Sequence, residues 1–213
     1  VAAPFEVISL FDADPVVVES ESLNWIPVRR RLGIGAFGIN AYRAGAGDPV
    51  VEEHFESPGQ EELYLVLSGR VDFKAGGESV ELGPGEAAFI ADPEIRRGAT
   101  ALADNTTVLA VGGWRDRPYH SLPWEPLYLS DGPFRRGEWA DALATLEREA
   151  GGYRDHPYVR YRIACCLTQL DRRDAAMDEL RAALAARPEL RERAAADTLL
   201  EPLRELQDWE AAT

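Results

Sequence analysis

The chain is poor in the residues that most readily betray a function. Of its 213 residues only three are histidine, two cysteine and one methionine. The two cysteines, Cys165 and Cys166, are neighbours, and adjacent cysteines rarely bridge each other; with no third to pair with either, a disulfide scaffold is not expected. They read as small core residues with reduced thiols, which predicts a cytoplasmic setting. No run of 18 apolar residues occurs, so no membrane-spanning helix is expected. The N-terminal stretch lacks the basic-then-apolar order of a secretory signal. Positive charge is also short: 23 Lys and Arg face 37 Asp and Glu, a net charge of −14. A chain so acidic repels phosphates, which argues against nucleic acid and anionic membranes as partners. A Gly-x-Ser-x-Gly elbow and a nucleotide-binding loop are both missing. Gly33-x-Gly35-x-x-Gly38 has the spacing of a dinucleotide fingerprint but no βαβ pattern around it, and reads as a glycine-rich strand.

What remains is 46% hydrophobic, enough to bury a core. Residues 1–115 read as β. Short Val-, Ile- and Phe-rich runs recur at Glu6–Leu10, Val16–Glu19, Ile34–Arg43, Val50–Glu56, Glu62–Leu67, Arg70–Lys74, Ser79–Leu82, Ala87–Ile90, Arg97–Ala101 and Thr106–Val111. Gly83-Pro84-Gly85 and similar turn clusters separate them, and strands at this spacing predict an antiparallel sandwich or barrel. Residues 116–133, rich in proline and aromatics, read as an ordered connection. Residues 134–213 read as α, with three- and four-residue apolar steps in Trp139–Ala150, Tyr158–Leu170, Asp174–Ala186, Arg191–Ala196 and Asp197–Ala211. The expected fold class is therefore α+β: a β-barrel domain, a connection and a small helical domain. Arg29-Arg30-Arg31 reads as a basic surface run.

Chemistry concentrates between Gly47 and Gly113. The strand period sends residues 52, 54 and 56 to one face, and Glu62 begins the strand opposite. If that face is interior, His54, Glu56 and Glu62 converge, with Tyr64 on the same face as Glu62. One imidazole and two carboxylates buried together are costly without a cation, a water or an arginine. His120 and His156 have no metal spacing to His54 and read as structural.

Gly47, the run Glu52-Glu53-His54-Phe55-Glu56, then Glu62 and, after six intervening residues, Gly69 resemble the first motif of the cupin superfamily. His54 matches its first histidine, and Glu56 stands where the second is found. Ala91-Asp92-Pro93-Glu94-Ile95-Arg96 occupies the second motif, so Arg96 replaces the third histidine. The resemblance implies a jelly-roll β-barrel with a pocket, and as a family expectation a homodimer paired through sheets. Three readings stay open. In one, His54, Glu56 and Glu62 bind a divalent metal, iron, manganese or zinc, that polarises a substrate oxygen, or His54 and Glu62 as a catalytic pair shuttle a proton; isomerase, lyase and dioxygenase chemistry are all open. In another, Arg96 or Arg97 points inward to Glu62 and the pocket holds an anionic small molecule, with Tyr64, Arg96 and Arg97 binding it. In the third, the acidic run is a solvated strand end.

Ile163-Ala164, Leu167, Ala176, Leu180, Ala183 and Pro188 resemble a tetratricopeptide repeat, and Gly137-Glu138-Trp139 with Ala142 and Leu146 resembles the second helix of a preceding partial one. This likeness implies a protein or peptide partner for the helical domain. Cupin domain and repeat together are similar to a group of small bacterial proteins.

Overall fold

The structure is a computed structural model that describes residues 5–120, 122–206 and 209. The chain divides into two units, Val1–Ser121 and Leu122–Thr213.

Among its described residues the first unit holds ten strands: β1 Val16–Val18, β2 Leu23–Ile26, β3 Gly38–Ala44, β4 Pro49–His54, β5 Gln60–Ser68, β6 Val71–Ala75, β7 Glu78–Leu82, β8 Ala87–Ile90, β9 Arg97–Ala101 and β10 Thr106–Trp114, with a short helix α1 at Val28–Arg31. They form a six-stranded sheet in the order β1-β2-β3-β10-β5-β8 and a four-stranded sheet in the order β4-β9-β6-β7. Every pairing is antiparallel. Alternation makes the core: Tyr64, Val66, Val108 and Ala110 from one sheet meet Val51, Phe73, Ala99 and Ala101 from the other. The opposite face of β2 and β3 buries Ile26 and Ala41, over which Ile8, Leu10 and Ala13 pack.

Two glycines are dictated by geometry. Gly69 turns the chain between β5 and β6 at φ +71°, and a Cβ there would stand 2.6 Å from the Cα of Thr106. Gly38 lies flat under the ring of Tyr119, which would be 2.6 Å from its missing Cβ.

Several expectations are corrected here. Glu6–Leu10 is not a strand; the irregular segment is held by the Arg43 guanidinium, which donates to the carbonyls of Leu10 and Phe11. Leu23–Ile26 is a strand whose alternation is masked because Ile26 is buried on the opposite face, while Asn24 donates to the Arg43 carbonyl. Arg29-Arg30-Arg31 lies within α1. The glycine-rich run from Gly33 enters the sheet only at Gly38.

The second unit is helical: α2 Trp124–Arg135, α3 Trp139–Glu149, α4 Pro157–Gln169, α5 Arg173–Ala186, α6 Leu190–Ala196 and α7 Glu201–Arg204. Helix α2 occupies half of the stretch read as a connection. Its Pro126 falls in the first turn, where a backbone N–H has no intrahelical partner, so the proline is tolerated. Pro133 stands near the other end and removes one bond shortly before the helix stops. The pairs α2/α3 and α4/α5 pack as helical hairpins. The second repeats the first at offsets of 33 positions (residue 124 to residue 157) and 34 positions (residue 139 to residue 173). Leu146, Val159, Ile163, Leu180 and Leu184 build the core, and fully buried Ala164, Ala176 and Ala183 permit close helix approach. Asp197 does not open a long helix. Its carboxylate accepts from the Leu199 amide and from the Tyr161 hydroxyl, and a 3-10 turn leads into α7. Of the helix expected through Ala211, residues 207, 208 and 210–211 lie outside the described residues. Cys165 and Cys166 are buried, and burial pushes both thiols up, Cys166 to about 12. Among the described residues no helix is long and apolar enough to cross a membrane.

Candidate functional site

The site forms where β4 ends and β5 begins. His54 is the last residue of β4, and five residues carry the chain back to Gln60 at the start of β5. Gln60, Glu62 and Tyr64 alternate onto the inner face of β5. The imidazole Nε2 of His54 lies 3.5 Å from Glu56 Oε1 and 3.6 Å from Glu62 Oε2. One donor atom from each of the three residues falls within 4.8 Å of the others. The Tyr64 hydroxyl donates to Glu62 and stands 3.3 Å from His54 Nε2. Exposure is partial: 25% for the His54 side chain, 10% for Glu56 and 12% for Glu62. The three side chains meet at a half-buried point.

A backbone carbonyl fixes the imidazole. Its Nδ1 donates to the carbonyl of Glu52 at 2.8 Å, so Nε2 is the atom turned to the two carboxylates. Burial works to lower the pKa of His54. The hydrogen bonds to Glu56 and Glu62 outweigh it and push the imidazole up to about 10. Burial, followed by the charge of Glu62, raises the hydroxyls of Tyr42 and Tyr64 far above the ordinary range, so both are donors.

The two arginines part company. Arg97, not Arg96, is the cross-strand partner of His54 in the β4–β9 ladder. Its side chain is wholly buried, and Nε lies 3.9 Å from Glu62 Oε2. Arg96 faces outward, 58% exposed, pairing with Glu53 at 2.9 Å and lying over the ring of Phe55. Of the two arginines expected at the site, Arg97 therefore faces the cluster and Arg96 does not. Irregular pairing of β4 and the turn at Asp92–Ile95 shift the register.

Arg97 Nη1 donates to the carbonyls of Pro93 and Ile95, at 3.1 and 3.0 Å. Its Nε and Nη2 are buried without a hydrogen bond. Sequence reasoning passed over Gln60. It is 3% exposed, and its Oε1 also lacks a partner. A lone glutamine beginning a strand carries no signal; only its place two residues before Glu62 could have drawn notice. His120 stacks on Trp114, and His156 lies between Tyr153 and Tyr158 in the helical unit; neither joins the cluster.

The donor set suits a divalent cation. Bonds of about 2.0–2.2 Å to a common centre bring ligand atoms to about 3–3.5 Å from one another, and the imidazole stands 3.5 and 3.6 Å from the two carboxylates. The charges are also instructive. Two carboxylates are matched by Arg97 and a protonated His54; with a neutral His54 the pocket carries one uncompensated negative charge.

No protein-family model matches the chain, and no curated protein matches it. Solved structures do. KdgF from Halomonas sp. is 20% identical over 38% of this chain and 71% of that one, with a TM-score of 0.34. A putative sugar phosphate isomerase from Acidithiobacillus ferrooxidans is 18% identical over 46% of this chain, with a TM-score of 0.40, and the chain spans 63% of its length. A cupin protein from Bacteroides fragilis is 20% identical over 57% of this chain and 93% of that one, with a TM-score of 0.41.

Proposed function

We propose that the β unit is a cupin-type small-molecule-binding domain, and that His54, Glu56 and Glu62 hold a divalent cation at its site. The observation that carries this reading is the meeting of three ligand atoms within 4.8 Å, with the imidazole already oriented from behind by the Glu52 carbonyl. A divalent ion bound there would polarise an oxygen of the bound molecule. Tyr64 holds Glu62 in place by donating to it. Arg97 lends the pocket a fixed positive charge, so an anionic ligand is favoured over a neutral one. The helical unit we read as tetratricopeptide-like, on the 33- and 34-residue offsets of its two hairpins.

The experiment is elemental analysis of the purified full chain after exposure to iron, manganese and zinc. One equivalent of metal is expected, lost in His54→Ala with the circular dichroism spectrum unchanged. Metal-free protein under those conditions overturns the reading.

A second reading is favoured by one observation. Arg97 already stands beside Glu62, with two donors unused. In that case the protonated His54 and Arg97 balance the two carboxylates and the pocket takes an anion without metal. Equal affinity for that anion before and after chelation would select it.

A further inference from the structure

Two buried polar groups beside Glu62 lack hydrogen-bond partners: Arg97, whose Nε is held to Glu62 Oε2 only by a 3.9 Å ion-pair contact, and Gln60. Arg97 presents Nε and Nη2, the two N–H groups along one edge of the guanidinium, while Nη1 is spent on the turn carbonyls. That edge matches the two oxygens of a carboxylate. Gln60 presents Oε1, an acceptor. A donor-only group and an acceptor, each left unsatisfied in a buried place, cost stability unless something fills them.

The backbone around them is cut back. Gly38, Gly112 and Glu62 form one cross-strand row over β3, β10 and β5, so their side-chain positions share the inner face. At Gly112 a Cβ would come within 3.3 Å of Gln60 Nε2 and 3.4 Å of Glu62 Cγ; its absence lets the Gln60 amide lie across β10 beside Glu62. At Gly38 the vacated place is taken by the Tyr119 ring. That ring stands about two strand spacings, roughly 10 Å, from the strand of Glu62 and supplies an apolar wall.

Resting on the reading that this cluster is a ligand site, we infer that the ligand is a small hydroxy-carboxylate. Its carboxylate lies along the Nε/Nη2 edge of Arg97, its hydroxyl donates to Gln60 Oε1, and its carbon skeleton faces Tyr119. Neither a neutral polyol nor a plain fatty acid satisfies both groups.

Calorimetric titration of the full chain, with and without manganese, tests this. The probes are lactate and gluconate, set against propionate, which lacks the hydroxyl, and sorbitol, which lacks the carboxylate. At least one hydroxy acid is expected to bind about tenfold more tightly than its counterpart, the worth of one buried hydrogen bond to a charged or polar group. Gln60→Leu should erase the preference for lactate over propionate without lowering the melting temperature, because it removes an unsatisfied amide. Arg97→Gln should abolish binding; if it fails to fold, Gln60→Leu still decides. Equal binding of the matched probes, no binding of either hydroxy acid, or an unchanged preference in Gln60→Leu overturns the inference. Metal uptake without this selectivity refutes the ligand class and leaves the metal reading standing; selectivity without metal uptake does the reverse.

Discussion

His54 and Arg97 are direct partners across the β4–β9 ladder, and both reach the same carboxylate oxygen, Glu62 Oε2, at 3.6 and 3.9 Å. Glu62 is thereby the pivot of the site, shared by an imidazole, a guanidinium and the Tyr64 hydroxyl.

Arg97→Met should destabilise the fold by about 3 kcal/mol, because it strips a largely buried carboxylate of a buried cation and removes a hydrogen bond from each of two turn carbonyls. Arg96→Ala should change stability by less than about 0.5 kcal/mol, since its pair with Glu53 is in solvent. Urea unfolding of both variants measures the contrast. Equal effects would mean that the two arginines are wrongly told apart.

The folded pKa of His54, about 10, lies above its ordinary 6.5. In metal-free protein the stability it contributes is fully present below pH 6.5 and is lost as pH rises through 10. A cation must displace that proton, so metal affinity should climb across the same window. Following the imidazole by NMR, together with metal titrations at several pH values, checks both. An imidazole titrating near its ordinary value would refute the pairing.

Gly69→Ala should cost about 2–4 kcal/mol. It forces a side chain into φ +71° and against the Thr106 backbone, which cannot yield as a side chain could. Gly38→Ala should cost less, about 1–3 kcal/mol, because the Tyr119 ring can swing aside. Thermal melts of the two variants rank them, and a milder effect at Gly69 would contradict the geometry.

Residues 122–213, expressed alone, should give a cooperative helical melt, since Leu146, Ile163, Leu180 and Leu184 form a core within that unit. A non-cooperative melt by circular dichroism would deny its independence.

Much of this was legible in the residues. The six-residue interval from Glu62 to Gly69 marked β5 and its turn, and the alternation of 52, 54 and 56 anticipated the meeting with Glu62. The identity of the inward arginine was not readable. Irregular ladder pairing at Val51 and His54 and the turn at Asp92–Ile95 set the register, and neither leaves a periodic trace. Helix α2 was hidden because Pro126 and Pro133 read as breakers, although position within a helix decides whether a proline breaks it. Gln60 was hidden for another reason. Its importance lies in what its amide lacks, and an unmet hydrogen bond exists only in three dimensions.

One guanidinium both fastens the Pro93–Ile95 turn through Nη1 and keeps Nε and Nη2 without a hydrogen bond, for the proposed ligand. Occupancy should therefore propagate into the backbone of that turn. Amide hydrogen exchange at residues 92–95 ought to slow when the pocket fills, which makes this short segment a built-in reporter for screening compounds.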